Sequence, residues 1–270
     1  MLSQCIESLS QQSSDNQCFE LIVINDGGRD IASDIGSVSH RFHVQMLDQD
    51  HKGPAAARNL GITKAKGEII IFLDDDSLPT ENWLSATIKA WETYSDFDGI
   101  GGYIASEQTD SIYCRVNSDY FNWYLEQHQS GDHCTFLVTC NAGYNKAVLE
   151  KIGLFDDRYK KASGEDRDLN IRILKMGGRL RLDKNILVYH DRDLTFWSFV
   201  RKNYNYGKAA FEIYRRYPEQ ERFSTGDYIH FYSSILGKYS TYKEKILAFL
   251  LLTVSQVCTI IGYHRAKLLL

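Results

Sequence analysis

"GEIIIFLDDDSLP", residues 67–79, sets an apolar run directly ahead of three aspartates. A short continuous apolar stretch bounded by polar residues reads as a buried strand. Asp74, Asp75 and Asp76 then crowd its carboxyl end, where their repulsion is costly unless something neutralises it. A hard divalent cation does so: Mg2+ or Mn2+ held by one or two carboxylates leaves its other positions to water and phosphates. The alternative is a solvated acidic loop capping the next helix, with Ser77 or Thr80 as N-cap.

Working outward, three further apolar runs read as buried parallel strands: residues 20–25, 41–47 and 98–104. Helix-like segments, "PAAARNLGITKAK" and "TENWLSATIKAWETY", alternate with them, which is the pattern of a doubly wound α/β sheet. Ligands in such sheets bind beyond the carboxyl ends of the strands, where "NDGGRD" and "DDDS" both fall. Past residue 104 come a helix candidate around 115–129, the helix "GEDRDLNIRILKMGG" and the strand-like "RLRLDKNILVYH". The last 75 or so residues read as aromatic-rich helices. "ILAFLLLTVSQVCTIIGY" is about as long as the shortest spanning helices, roughly 17 residues. Its Gln256 and hydroxyl residues favour a packed or interfacial helix.

The chain has 270 residues and 43% hydrophobic content, enough for a sizeable core, and carries no repeat or low-complexity segment. Cysteines at 5, 18, 114, 134, 140 and 258 lack zinc-site or disulfide-framework spacing, so reduced thiols are expected. The amino terminus lacks the basic start and apolar stretch of a secretory signal, and a cytoplasmic location is expected. Residues 201–270 hold eleven Lys/Arg against five Asp/Glu, whereas residues 1–200 hold twenty against thirty. An acidic body argues against nucleic acid as partner; the basic tail suits anionic lipid or is simply a solvated helix face.

Four other constellations carry chemistry. Asp26, ahead of Gly27 and Gly28 in "VINDGGRD", can accept hydrogen bonds from a base or ribose, or form a plain Asx-type turn. Arg58, on a helix opened by Gly-Pro, can reach a diphosphate with its guanidinium fork, or lie on an ordinary helix surface. Glu165, Asp166 and Asp168 fall in a helix's first turn, where the dipole stabilises acids and one carboxylate can act as general base. His190, after "ILVY", is either a metal ligand or a core histidine.

In order, "CIESLSQQ", "FELIVINDGGRD", "GPAAARNLGI", "AKGEIIIFLDDDSLP", "CNAGYNKAVLEKIGLFDD" and "GEDRDLNIRIL" are similar to the motifs of the family 2 glycosyltransferases, inverting enzymes of the GT-A fold. The resemblance runs from about residue 2 to 217. It implies a GT-A α/β domain over 1–192, with a doubly wound mixed sheet, and a helical, membrane-associated extension over 193–270. Asp26 would contact the base, and Arg58 would lie near the nucleotide. Asp74, with Asp75 beside it, would pair with Asp76 at donor and metal, and His190 would complete the metal site. Asp166 would be the base beside donor-binding Glu165, and Asn141 and Ala142 would line the sugar pocket. The implied donor is a UDP-, GDP- or dTDP-sugar, the acceptor a glycan or lipid-linked hydroxyl, the cofactor Mg2+ or Mn2+, and the place the inner face of the plasma membrane.

Family members open with an apolar strand that this chain lacks, so the resemblance predicts loss of the central strand and of ladder partners for its two neighbours, as after a truncation or a misplaced start. The "QxxRW" signature of processive synthases is absent, which points to transfer of one sugar. A catalytically silent GT-A-like scaffold is the competing reading. A nucleotidyltransferase is disfavoured by the lack of a glycine-rich activating loop.

Overall fold

A computed structural model describes residues 1–12, 19–31, 42–105, 111–160, 163–190, 193–220 and 223–269. In chain order the elements are α1 (Leu2–Ser10), β1 (Glu20–Asp26), β2 (His43–Gln49), α2 (Pro54–Lys64), β3 (Ile69–Leu73), β4 (Leu78–Pro79), α3 (Trp83–Thr93), β5 (Gly99–Ile104) and α4 (Ile112–Gln127). There follow β6 (Gln129–Ser130), β7 (His133–Cys134), β8 (Asn141–Asn145), α5 (Lys146–Lys151), α6 (Glu165–Lys175), β9 (Leu180–Tyr189), α7 (Phe196–Arg216), α8 (Thr225–Gly237) and α9 (Tyr242–Leu268). They form two compact units, one of Met1–Ile104 with His128–His190, the other of Ala105–Gln127 with Asp191–Leu270.

The first unit is the α/β body. β1 and β2 pair in parallel from Glu20↔His43 to Asp26↔Gln49. A seven-stranded sheet runs β3-β8-β5-β9-β7-β6, with β4 joined to β9. β1 and β2 are parallel as expected, and β3 and β5 run the same way with β8, "NAGYN", inserted antiparallel between them. β5 and β9 are parallel, which makes the sheet mixed. β2 is not buried as expected: its burial alternates between partial and exposed, with Gln45 and Asp48 among its residues. Arg41, at the expected start of that strand, and Cys18 lie outside the described residues. Among the described residues β1 pairs with β2 and β3 with β8, and no ladder joins the two sheets. No disulfide joins Cys5, Cys114, Cys134, Cys140 and Cys258.

Ile6, Leu9, Val23, Trp83, Ile100 and Val188 share one buried cluster. α3 contributes Trp83, Leu84, Thr87 and Ala90, whose spacing puts them on one helical face. Its N-cap position is Asn82, not Ser77 or Thr80. Ser77 is buried and donates to the Cys140 carbonyl at 3.2 Å, and the Thr80 hydroxyl donates to the Leu187 carbonyl at 3.1 Å. Gln12 does the capping: its Oε1 accepts from the Leu84 N–H at 2.9 Å while its Nε2 donates to the Thr80 carbonyl at 3.0 Å.

In the second unit Val116 and Trp123 of α4 share a buried cluster with Phe199, Phe231, Ile235 and Leu252. A division at 192/193 therefore leaves α4 apart from the helices it packs on, because the apolar face that decides its neighbours does not show in sequence order. Buried Asp119 accepts from the Tyr239 hydroxyl at 3.0 Å and from Lys238 Nζ at 3.2 Å. α7 and α9 meet backbone to backbone: a Cβ on Gly207 would overlap the Thr259 carbonyl, and one on Gly262 the Tyr204 carbonyl.

Within the body, the β5–β9 register shifts between Gly101 and Tyr103. A Cβ on Gly102 there would overlap the Ile186 carbonyl oxygen. Gly102→Ala is expected to cost about 1–3 kcal/mol, the usual range for overpacking, read as a lowered urea midpoint with an unchanged slope.

Candidate active site

β3 ends at Leu73 and the chain turns at once, the Ser77 N–H donating to the Asp74 carbonyl at 3.0 Å. β4 then pairs antiparallel with the end of β9, Leu78 opposite Tyr189 and Pro79 opposite Val188. That register delivers His190 to the acids: its Nε2 lies 3.1 Å from Asp76 Oδ1 and 3.5 Å from Asp74 Oδ2. Asp74, Asp76 and His190 offer one ligand atom each, all within 4.8 Å of one another. Two carboxylate oxygens and an imidazole nitrogen are donors a divalent cation accepts, and three ligands leave positions for water and phosphate. This donor set fits a metal. Asp75 is exposed and outside that cluster, its carboxyl raised by desolvation and by Asp76 and Asp74.

On α2, Arg58 reaches two ways. It donates to Asp74 Oδ1 at 3.0 Å and to Glu165 Oε1 at 2.7 Å, with its guanidinium 5.7 Å from the centre of the Phe155 ring. Desolvation would lower its pKa, but the Asp74 and Glu165 carboxylates outweigh that and keep it charged. Desolvation likewise opposes ionisation of Asp74, yet His190 and Arg58 hold its pKa down at about 2. Glu165, buried at the start of α6, also accepts from the Ser163 N–H at 2.7 Å.

The neighbouring Asp166 behaves oppositely. Desolvation and the Glu165 charge push its carboxyl up to about 7, against the pull of Arg58 and of the Arg167 N–H, which donates to Asp166 Oδ1 at 2.7 Å. A carboxyl poised near neutrality is suited to proton transfer. Asp168 is structural: it is buried and paired with Arg172 at 2.7 Å, one helical turn on.

Asp26 is held by the loop that leads into α2. Its carboxylate accepts from Gln49 Nε2 at 2.6 Å and from the backbone N–H groups of Lys52 at 2.8 Å and Gly53 at 2.9 Å. His51 Nδ1 lies 3.1 Å away. Desolvation is overcome by these hydrogen bonds and its pKa is lowered. The Asx-type turn belongs instead to Asn25, whose Oδ1 accepts from the Gly28 N–H at 3.0 Å. Gly53 stands at φ +94°, and a Cβ there would approach the Lys160 carbonyl to 2.6 Å.

The family profile described as glycosyl transferase family 2 matches residues 1–153. The chain belongs to this family. Its relatives include the pre-mycofactocin glycosyltransferase of Mycobacterium tuberculosis, 25% identical over 207 residues that cover 75% of this chain and 44% of that protein. Glycosyltransferase AglE of Haloferax volcanii is 22% identical over 79% of this chain and 69% of its own. The chain thus spans less than half the length of the mycobacterial relative. Among solved structures, the mannosyltransferase PcManGT from Pyrobaculum calidifontis, in complex with GDP-Man and Mn2+, superimposes with a TM-score of 0.68 at 13% identity, covering 98% of this chain and 83% of that one. S. aureus TarS 1-349 in complex with UDP gives 0.52 at 14% identity, covering 98% and 86%. The GT-A fold expected from the motifs is the fold of this chain.

Two residues of this family 2 protein expected to line the sugar pocket, Asn141 and Ala142, are buried. Asn141 is buried and its carboxamide is engaged inside the fold: Nδ2 donates to the Tyr103 and Ile186 carbonyls at 3.0 and 3.1 Å, and Oδ1 accepts from the Trp83 indole at 2.9 Å. Ala142 is buried between Phe72 of β3 and Gly101 of β5. Both side chains lie inside the sheet. Gln49, Gln12 and Trp83, which secure the site from behind, escaped the sequence reading. Each works through a partner distant in the chain, and no local motif marks them.

Arg58→Met removes the partner of a buried carboxylate at Glu165. A loss of about 3 kcal/mol is expected from breaking such a pair, measurable by urea denaturation, with Glu165→Gln in the same background restoring part of it.

Proposed function

We propose that this glycosyltransferase moves one sugar, with inversion, from a nucleoside diphosphate donor to an acceptor hydroxyl, and that Asp166 is its general base. The observation that carries the reading is the Arg58 bridge, which ties the metal-competent strand end at Asp74 to the Glu165–Asp166 turn through bonds of 3.0 and 2.7 Å. One end is suited to a diphosphate and the other to a proton.

Asp166 takes the proton of the acceptor hydroxyl as that oxygen forms its bond to the anomeric carbon. The bond from that carbon to the diphosphate oxygen breaks, and its electron pair leaves with the nucleoside diphosphate. Attack from the opposite face inverts the configuration. Asp74, Asp76 and His190 would hold Mg2+ or Mn2+, which when bound supplies Lewis-acid stabilisation to phosphate oxygens. Arg58 keeps Asp74 ionised and Glu165 in place, and Asp75 and Asp26 would contact the donor. GDP-Man with Mn2+ in one fold neighbour and UDP in another support a nucleotide-sugar donor and a divalent cation. A base poised near neutrality favours an enzyme over a silent scaffold, which has no use for one. The proposed acceptor is a cell-envelope or lipid-linked saccharide, reached from the cytoplasmic side.

Calorimetry with UDP, GDP and dTDP, with and without Mn2+, tests the site. One nucleotide is expected to bind in a metal-dependent way, and His190→Ala to abolish that dependence. Binding indifferent to Mn2+ removes the metal from the proposal. Asp166→Asn is expected to lower kcat by about 10^3 while leaving nucleotide affinity nearly unchanged, and normal turnover in it removes Asp166 as base. Because the base acts ionised, kcat/KM should rise with pH through about 7 and that limb should shift in Asp166→Glu, whereas a limb that stays in place belongs to another group.

A further inference from the structure

α6 opens at Gly164, an N-cap residue with no side chain to bond the first turn. In that turn Asp166 carries its carboxyl on one short methylene, so the backbone decides where the carboxyl points. Its Oδ1 accepts from the Arg167 N–H at 2.7 Å, and Oδ2 bonds to no group among the described residues, which leaves it the oxygen open to a proton. One helical turn on, Asn170 is fully buried along with its neighbours Leu169 and Ile171, at a position where leucine would suit both core and helix better. What Asn170 holds accounts for it. Nδ2 donates to the Asp166 carbonyl at 2.7 Å and to the Leu137 carbonyl at 2.8 Å, while Oδ1 accepts from the Tyr144 hydroxyl at 3.0 Å. Carbonyl oxygens only accept, so these partners settle which way the amide faces, and Tyr144 is the donor. Burial, aided by the Asp166 charge, pushes the Tyr144 hydroxyl well above its ordinary range and keeps it protonated.

We infer that Asn170 is a positioning residue for Asp166: its carboxamide, fixed by Tyr144 and the Leu137 carbonyl, holds the Asp166 main chain so that Oδ2 stays aimed at the acceptor hydroxyl. This rests on the reading of Asp166 as general base. Tyr144 stands in β8 opposite Ile70 of β3, the strand that ends just before Asp74, so the contact registers the turn carrying Asp166 on the sheet that carries the acidic cluster. Farther along α6 a second tie, from Arg172 Nη1 to the Ile152 carbonyl at 3.0 Å, anchors the helix without Asn170. Loss of Asn170 therefore loosens the first turn and leaves the helix in place. Asn170 itself touches no reacting atom, and its influence falls on proton removal, so it acts on kcat and not on donor binding. A misplacement of about 1 Å at a catalytic group costs up to about a hundredfold in rate.

The full chain is assayed with Mn2+ and GDP-mannose, UDP-glucose or dTDP-glucose, reading release of the nucleoside diphosphate with water as acceptor. Asn170→Leu keeps the volume but strands the buried Tyr144 hydroxyl, so it is combined with Tyr144→Phe, and thermal unfolding checks that the double variant folds. Its kcat is expected to fall about thirtyfold, with KM for the donor and calorimetric affinity for the nucleotide changed by less than about twofold. Placed on Asp166→Asn, the same pair should lower the residual kcat by less than about twofold, because the group it positions is gone. Tyr144→Phe alone removes one of the ties and should lower kcat about threefold at unchanged nucleotide affinity. A folded double variant with the kcat of the parent overturns the assignment, as do equal losses of kcat and nucleotide affinity, a loss that persists in full on Asp166→Asn, or an unaltered kcat in Tyr144→Phe. Normal turnover in Asp166→Asn instead defeats the reading of Asp166 as base, and release from none of these donors by the unaltered chain defeats the transfer reading. A slow Asp166→Asn beside an unimpaired double variant defeats the role of Asn170 alone.

Discussion

Repulsion among carboxylates is the constraint on which the site of this family 2 protein depends. Asp74, Asp75 and Asp76 at the end of β3, and Glu165 and Asp166 at the start of α6, gather acid where desolvation makes charge expensive. Arg58 answers part of it with one guanidinium bonded to both groups, a geometry lysine does not reproduce. His190 answers another part at Asp74 and Asp76. What remains is an uneven distribution of protons: Asp74 firmly ionised, Asp166 poised near neutrality. Carboxyls whose surroundings push their proton affinities apart are the kind that acid-base chemistry uses at neutral pH.

The fold holds this arrangement with few long-range contacts. The two-residue strand β4 reverses the acidic turn onto β9, and its register decides that His190, not Tyr189 or Val188, meets the acids. Asp26 secures the Gln49–Gly53 loop, and with it the start of the helix that carries Arg58. Gln12 links α1, the Thr80 carbonyl and the start of α3, while Asn141 ties Trp83 to two strands. Polar side chains buried in this way must be satisfied, and the partners that satisfy them become fixed in place.

Much of this was legible in the chain. Apolar runs ended by aspartate or asparagine marked β1 and β3. Gly-Pro marked the start of α2, since glycine supplies the positive φ at Gly53 and proline fits the first helical position. The first-turn acids marked α6, and the ordered motifs identified the family. These signals depend on neighbours within a few residues. Asn141 and Ala142 read as pocket residues because the motif containing them borders the site, whereas their burial depends on strands on either side of β8.

By itself, then, the sequence determined the identity of the elements, the chemical groups available and the family, because backbone preference, hydrophobic period and motif order are local properties. Only the tertiary structure decided that Asp74, Asp76 and His190 come together, that Asp166 lies desolvated beside the Glu165 charge, and that α4 packs with the carboxy-terminal helices. The physical reason is separation: Arg58 and Glu165 stand 107 positions apart and meet at 2.7 Å, and a carboxyl's proton affinity follows the charges and solvent around it, whatever its place in the chain.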